Sequence, residues 1–195
     1  MAKRIVVGVT GASGAPYLLG LLRILAENGV EIHLTVSSLG KRLLNEELGI
    51  RNITAECLGI PECSESLVVH NNNDLGATIA SGTFLHDGMV VLPCSSNTLG
   101  AVASGITNTL VQRAALVCLK EKRMVVLAHR ESPLSLIDLR NMCTLSEAGA
   151  VIAPLSPGFY MKPTSLEDVV GFMVGKIADL LGIHHSLPIR WNSDK

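Results

Sequence analysis

The amino-acid sequence predicts an α/β fold, a single-domain Rossmann-like (flavodoxin-like) doubly wound parallel sheet. Short β-branched runs alternate with longer stretches of helical periodicity along the 195 residues, which is typical of parallel α/β architecture. The strand-like runs are almost entirely apolar rather than alternating, as expected when helices cover both faces of a sheet. The length suits one substantial core, so we expect a single domain over 1–195.

The order of these runs gives the predicted elements. The predicted strands are Arg4–Thr10, Val30–Val36, Ser66–His70, Gly88–Leu92, Met124–Ala128 and Ala150–Ala153. The predicted helices are Ala15–Asn28, Leu39–Glu47, Leu75–Ser81, Thr109–Lys120, Leu134–Ser146 and Ser165–Leu181. Gly49–Ser64 is irregular and carries charges, Pro61 and two cysteines. We expect it to be a surface loop or a segment that contacts a partner.

Composition excludes several classes of function. Lys and Arg number 16 against 17 Asp and Glu, so the chain lacks the basic surface typical of nucleic-acid binding. No apolar run approaches the roughly 20 residues that span a bilayer. The five cysteines are scattered, without a Cys-x-x-Cys pair or a His-Glu-x-x-His motif, which argues against a disulfide framework or a zinc site. We therefore expect a cytoplasmic protein that needs no metal, no membrane and no nucleic acid.

The balance of apolar and charged residues indicates self-association. Hydrophobic residues make up 48% of the chain and charged residues 17%. A monomer of this size has apolar surface to spare, and other subunits are the natural cover for it. We expect a homo-oligomer.

The residues that follow the strands are the candidates for a binding site, because ligands of doubly wound sheets bind at the carboxyl ends of the strands. This rule selects Thr10–Ala15, Ser37–Ser38, Pro93–Thr98, His129–Pro133 and Pro154–Tyr160. Each segment contains hydroxyl, amide or charged side chains. We expect the site to converge there.

The first segment, Thr10-Gly11-Ala12-Ser13-Gly14-Ala15, is typical of a turn that lets the backbone approach a phosphate or a ring. One alternative is a tight turn that binds no ligand. A more specific alternative is the dinucleotide site of an NAD(P)-dependent short-chain dehydrogenase. Two observations oppose the dehydrogenase. Ser37-Ser38 offers no acidic or basic residue for a dinucleotide ribose, and no Tyr-x-x-x-Lys motif occurs. A mononucleotide is favoured.

Two later segments carry further polar chemistry. Pro93–Thr98 supplies hydroxyls and an amide for a phosphate or a flavin edge, although an ordinary helix cap has the same composition. Cys94 has no adjacent base and is interpreted as structural. Arg130-Glu131 is either a solvated pair or an anion clamp beside a general acid/base. With Lys120, Tyr160 and Lys176 around the same cavity, two phosphates could be held.

Together, these segments resemble the UbiX/Pad flavin prenyltransferases nearly from end to end. The resembling stretches are 8–15 (GVTGASGA), 79–84 (IASGTF), 92–95 (LPCS), 119–121 (LKE), 130–135 (RESPLS), 141–142 (NM) and 159–160 (FY). The resemblance implies a single flavoprotein domain that joins a dimethylallyl group to FMN at N5 and C6. The donor would be dimethylallyl phosphate or diphosphate, and the prenylated FMN would serve a UbiD-type decarboxylase.

The resemblance also implies a role for individual residues. FMN would contact Gly11, Ala12, Ser13, Ser37, Ser95, Ser96, Asn97, Thr98 and Arg130. The prenyl phosphate would lie among Lys120, Arg130, Tyr160 and Lys176. Glu131 would be the acid/base at the leaving phosphate, with Ser13 and Glu47, the latter from a neighbouring subunit, in a proton relay. The C-terminal tail, about 182–195, would cover the site, with Trp191 as an apolar wall. By analogy with the family, the oligomer would be a dodecamer.

The chain departs from the family pattern at two places. Ser95-Ser96-Asn97-Thr98 stands where many members have Ser-Met-Lys-Thr, and Lys176 stands where Arg often occurs. The first departure resembles the Pro-Ala-Ser-Ala-Asn-Thr motif of FMN-dependent cysteine decarboxylases of the pantothenoyl-cysteine type. Their second motif, Pro-x-Met-Asn-x-x-Met-Trp, is absent here. A decarboxylase that depends on Asn97 and a non-enzymatic FMN-binding module therefore remain the alternatives.

Overall fold

The computed structural model describes residues 2–187 and contains one six-stranded sheet in which every pair of neighbouring strands is parallel. The strands are β1 (Arg4–Val9), β2 (Glu31–Val36), β3 (Leu67–His70), β4 (Gly88–Cys94), β5 (Val125–His129) and β6 (Val151–Ile152). Their order across the sheet is β3-β2-β1-β4-β5-β6. This is the Rossmann order, and without the edge strand β3 it is the flavodoxin order. The predicted fold class is confirmed.

Six α-helices accompany these strands within the described residues. They are α1 (Ala15–Glu27), α2 (Ser38–Leu48), α3 (Ser96–Ala103), α4 (Leu110–Lys120), α5 (Leu136–Glu147) and α6 (Leu166–Leu180). Thr109, Ser135 and Ser165 each begin a helix with a capping box, in which the cap side chain and the third helical residue bond each other's backbone N–H. None of the helices in this part of the chain is long and apolar enough to cross a membrane.

Apolar side chains cover both faces of the sheet, as the unbroken apolar strands predict. On one face, β1 and β2 pack against α1 and α6 through residues such as Ile5, Leu22 and Ile177. On the other face, β4 and β5 pack against α3 and α4 through residues such as Met89 and Leu110. The sheet is therefore held rigidly, and its strand ends are in fixed positions.

One predicted element was wrong, and two segments have features that the sequence did not indicate. The predicted helix 75–81 is a single 3-10 turn at Thr78–Ala80, because Ile79 and Ala80 are buried while Leu75 is exposed. Ser96–Ala103 forms α3, which was not among the predicted helices. The segment 49–64 is mostly exposed, but its side chains Ala55, Leu58, Ile60 and Cys63 are buried in the core.

The amino ends of β1 and β2 are joined by an ion-pair network. The guanidinium of Arg4 donates to both carboxylate oxygens of Glu31 at 2.8 and 2.9 Å, and His33 Nε2 lies 2.7 Å from Glu31 Oε1. The hydrogen bonds from Arg4 and then from His33 lower the pKa of Glu31 to about 2. The network lies at the amino ends of the strands, whereas the predicted site lies at their carboxyl ends. It therefore contributes to stability rather than to binding.

Candidate functional site

The carboxyl ends of β1 and β4 are bonded to each other. The backbone N–H and the hydroxyl of Thr10 both donate to the carbonyl of Pro93, at 3.1 and 2.9 Å. The backbone N–H of Ser95 donates in turn to Thr10 Oγ1 at 2.8 Å. The chain reverses its winding direction between these strands, so this is the switch point where doubly wound folds bind ligands.

The other strand ends are tied to the same edge by backbone hydrogen bonds. The N–H of Ser37 donates to Val9 at 2.9 Å, that of Arg130 to Cys94 at 3.2 Å, and that of Leu155 to His129 at 2.8 Å. The five polar segments selected from the sequence therefore lie side by side, as expected.

The turn between β1 and α1 fits closely against α2. A Cβ atom added to Gly11 would lie 2.5 Å from Cβ of Leu39, so no side chain fits there. Gly14 has a φ of 139°, which residues with a side chain rarely adopt. Ala12 is buried between them, while the Ser13 side chain is exposed. At the carboxyl ends of the strands, the turn therefore exposes its backbone and the Ser13 hydroxyl.

Glu47 closes the amino end of α1. Its Oε2 accepts hydrogen bonds from the backbone N–H of Gly14 at 3.1 Å and of Ala15 at 2.8 Å. A carboxylate is stabilised there by free N–H groups and by the helix dipole. We expected Glu47 to reach Ser13 from a neighbouring subunit, but the last turn of α2 brings the chain's own Glu47 beside this turn.

The segment after β4 is built as a helix cap. The Ser95 side chain accepts from the backbone N–H of Thr98 at 3.4 Å, and Asn97 is exposed at the site. Burial raises the pKa of the Cys94 thiol to about 12. A thiol with such a pKa is not a nucleophile at neutral pH, which agrees with its structural interpretation.

Arg130 and Glu131 follow β5 and face the same edge. Within residues 2–187, the Nε atom of Arg130 is buried and has no hydrogen-bond partner, whereas buried donors normally have one. Glu131 is exposed, and its carboxylate accepts the backbone N–H of Ser132 at 3.0 Å. A cavity of about 700 Å³ opens beside them, between α3 and α5, with Asn97 and Glu131 among its lining residues.

The proposed phosphate ligands are not all together in one chain. Tyr160 lies in the loop after β6, and its ring packs edge-on against Phe172 at 5.6 Å between ring centres. Lys120 ends α4 and pairs with Glu121 at 2.9 Å. Since α4 leads into the amino end of β5, Lys120 lies near the amino ends of the strands, away from the site at their carboxyl ends. Within one chain, Lys120 is therefore not grouped with Arg130 and Tyr160.

Lys176 also lies away from the carboxyl ends of the strands. It follows the start of α6 at Leu166 by ten residues, roughly 15 Å along the helix axis at 1.5 Å per residue. The residues just after α6 lie at the amino edge, where Lys3 Nζ donates to the carbonyl of Gly182 at 2.7 Å. Trp191 and the rest of the tail beyond Leu187 lie outside the described residues.

The sequence interpretation missed two buried polar residues beside the site, His129 and Asp138. His129 is the first residue of the selected segment 129–133 but had no assigned role, and Asp138 was not among the candidates. Neither residue belongs to a sequence motif with a known function. Their importance could be seen only once their neighbours in the tertiary structure were known. Among residues 2–187, no three His, Cys, Asp or Glu side chains are grouped so that they could hold a metal ion.

Comparison with known proteins identifies the family. A family model described as Flavoprotein matches residues 1–178. Flavin prenyltransferase UbiX of Thermoplasma acidophilum is 46% identical over 190 residues, which cover 96% of this chain and 99% of the relative. The chain belongs to the UbiX/Pad family of flavin prenyltransferases.

Two solved structures of the UbiX type share the fold over almost the full chain. The crystal structure of AnUbiX (PadA1), in complex with FMN and dimethylallyl pyrophosphate, superposes with a TM-score of 0.90 at 39% identity, covering 100% of both chains. A dodecameric FMN-dependent UbiX-like decarboxylase from Escherichia coli O157:H7 gives a TM-score of 0.88 at 39% identity. It covers 98% of this chain and 100% of that one. Both the sequence and the tertiary structure therefore place the chain among these flavoproteins.

Proposed function

We propose that this chain is a flavin prenyltransferase, which joins a dimethylallyl group from dimethylallyl phosphate or diphosphate to reduced FMN at N5 and C6. The observation that carries the proposal is the convergence of Ser95, Arg130 and Glu131 with the glycine turn at the switch point of the sheet. Membership of the UbiX/Pad family supports the same chemistry.

The residues present fit FMN. The buried Nε of Arg130 lacks a partner within the described chain, and it can donate to a phosphate or a ring carbonyl. The close contact of Gly11 with Leu39 of α2 leaves no room for a side chain at this position of the turn, so the turn follows the end of β1 closely. The hydroxyls of Ser13, Ser37 and Ser95 lie at neighbouring strand ends, and they can hydrogen-bond to polar atoms without adding charge.

The chemistry divides between the flavin and the protein. Reduced FMN supplies the nucleophilic N5 and C6 atoms when bound. In the transfer, the C–O bond of the dimethylallyl donor would break as its first carbon bonds to N5, with loss of the phosphate and of the N5 proton. Protonation of the dimethylallyl double bond would then let its third carbon bond to C6, which would lose its own proton. Arg130 and Tyr160 hold the donor phosphate, and Glu131 gives a proton to the departing phosphate or takes one from the flavin. Exposed Glu131 is free to exchange that proton with solvent.

We propose that the complete site forms in a homo-oligomer, with a dodecamer as the expected assembly. Lys120 and Lys176 lie away from the carboxyl edge of their own chain, so they could reach a donor phosphate only in the site of another copy. The exposed apolar side chains of the α5 region support contacts between copies: Leu136 is 61% and Ile137 70% exposed. Surfaces of this kind are normally covered by a partner.

The product would be passed to a UbiD-type decarboxylase. The support for this partner is the family resemblance, and the test is activation of an apo-decarboxylase by the released flavin. The cytoplasmic location expected from the sequence likewise stays a prediction.

Mass spectrometry of the flavin tests the proposed function. The full-length protein is incubated anaerobically with reduced FMN and either dimethylallyl phosphate or diphosphate. The expected result is a flavin heavier by one isoprene unit, and the preferred donor is the one that reacts faster. An unchanged flavin mass with both donors would contradict the proposal. Decarboxylation of a pantothenoyl-cysteine substrate, lost in Asn97→Ala, would instead support the alternative.

A further inference from the structure

Three buried or half-buried polar residues from different elements meet around one hydroxyl beside the site. Ser96 is the first residue of α3, His129 is the last of β5, and Asp138 lies in the first turn of α5. His129 is 1% exposed and Asp138 7%. Polar groups buried to this extent destabilise a protein unless they are hydrogen-bonded, so their arrangement has a defined hydrogen-bond pattern.

Asp138 lines the same cavity as Ser96. Its Oδ2 accepts from the Ser135 hydroxyl at 2.6 Å and from the Ser135 backbone N–H at 3.0 Å. Hydrogen bonds from Ser135, and then from the Ser96 hydroxyl, hold the pKa of Asp138 below its usual 3.8. The side chain is therefore a carboxylate at neutral pH and can only accept.

His129 is hydrogen-bonded to the Ser96 hydroxyl. The Nε2 atom of His129 lies 3.0 Å from Ser96 Oγ, and each of these two atoms can donate or accept. Burial is the main cause that lowers the pKa of His129 from its usual 6.5. The ring is therefore neutral near pH 7.

The network joins the two segments that form the site. Ser96 follows Ser95, whose N–H is bonded to Thr10 at the end of β1. His129 precedes Arg130, whose buried Nε has no partner within residues 2–187. The Ser96 hydroxyl therefore links the amino end of α3 to the end of β5 through side chains, in addition to the backbone bond from Arg130 to Cys94.

We propose that His129 is a positioning residue, which acts through the Ser96 hydroxyl to hold the amino end of α3 and Arg130 in the arrangement that binds FMN. The inference rests on the proposed function in taking FMN as the ligand of this edge. It does not depend on prenyl transfer, since its effect is on flavin affinity.

FMN affinity in a double-mutant cycle tests the proposal. The dissociation constant is measured from quenching of flavin fluorescence on the full chain, for Ser96→Ala, His129→Leu and the double variant. Each single change is expected to weaken FMN binding about tenfold, the effect of losing one buried hydrogen bond. The double variant should bind within about twofold of the weaker single variant, because both changes remove the same bond.

Two further variants separate positioning from packing. His129→Gln places an amide, which can donate or accept, near the position of Nε2, so it should keep FMN affinity within about threefold of wild type. Ser146→Ala changes an exposed serine at the far end of α5 and should leave the affinity unchanged. Should His129→Leu fail to fold, His129→Asn replaces it, because the shorter amide cannot reach Ser96.

Several results would overturn the proposal. They are single variants that bind FMN within twofold of wild type, additive losses in the double variant, equal affinities for His129→Gln and His129→Asn, or a lower Tm with unchanged affinity. The proposed function fails separately: wild-type protein would leave the flavin mass unchanged while the affinity pattern described here is still obtained.

Discussion

Replacing Glu47 tests how the amino end of α1 is held. In Glu47→Ala, the N–H groups of Gly14 and Ala15 lose a carboxylate that lies 3.1 and 2.8 Å away. A hydrogen bond to a charged group contributes about 1.5–3 kcal/mol when it is well buried, and an anion at a helix amino end about 0.3–1 kcal/mol. Glu47 is half-buried, so water replaces part of what is lost. We expect the free energy of unfolding to fall by about 1–3 kcal/mol.

The adjacent residue provides the matched control. Glu46 pairs with Arg42 on the exposed face of the same helix, at 2.7 Å, and exposed pairs of this spacing contribute about 0.3–0.5 kcal/mol. Alanine has the same helix propensity at both positions, so the difference between Glu47→Ala and Glu46→Ala isolates the capping bonds. Urea unfolding at one protein concentration measures both, since assembly makes stability depend on concentration. The reasoning is refuted if the two variants are equally stable.

Glu47→Gln separates the capping role from the proposed relay. Glutamine keeps an oxygen that can accept from Ala15 but loses the charge, so stability should fall by no more than about 1 kcal/mol. If Glu47 also moves protons beside Ser13, the transfer rate should fall far more than stability and FMN affinity do. Equal rates for Glu47→Gln and wild type would leave Glu47 with a capping role alone.

Three other predictions follow from the structure. Glu31→Gln should lower stability by about 1 kcal/mol at neutral pH, a modest figure because solvent screens the half-exposed pair with Arg4. The depressed pKa of Glu31 means that this stability is present above pH 4.5 and lost as the pH falls towards about 2, so wild-type and variant unfolding curves should converge there. Glu131→Gln should slow prenyl transfer roughly 10²–10⁴-fold with FMN affinity unchanged; weakened FMN binding would contradict an acid/base role. Lys120→Ala and Arg130→Ala should each be inactive, but oligomers reassembled from a mixture should regain part of the activity, and no recovery would argue against shared sites.

The fold class could be predicted because it depends on local patterns. Apolar runs without alternation predicted a sheet covered on both faces, and β4 and β5 show this most clearly because every residue of both strands is buried. The failures came where local pattern and tertiary contact disagree. Ser96–Ala103 begins with three polar residues that resemble a loop, yet it forms a helix because Leu99 and Val102 are buried against the sheet. Thr78–Ala80 forms only a single turn, because Ile79 and Ala80 are buried whereas Leu75, at the start of the predicted helix, is exposed.

The site shows the same division. The sequence by itself determined that the glycine turn, Ser95 and Arg130-Glu131 lie at one edge, since parallel strands bring their carboxyl ends together whatever their order. Only the tertiary structure decided that Glu47 caps its own chain's α1 and that Lys120 lies at the opposite edge, because both depend on the direction in which a helix crosses the sheet. The contact of His129 with Ser96 likewise joins residues 33 positions apart. No spacing in the sequence records such a contact, because it arises from the packing of a strand end against a helix start.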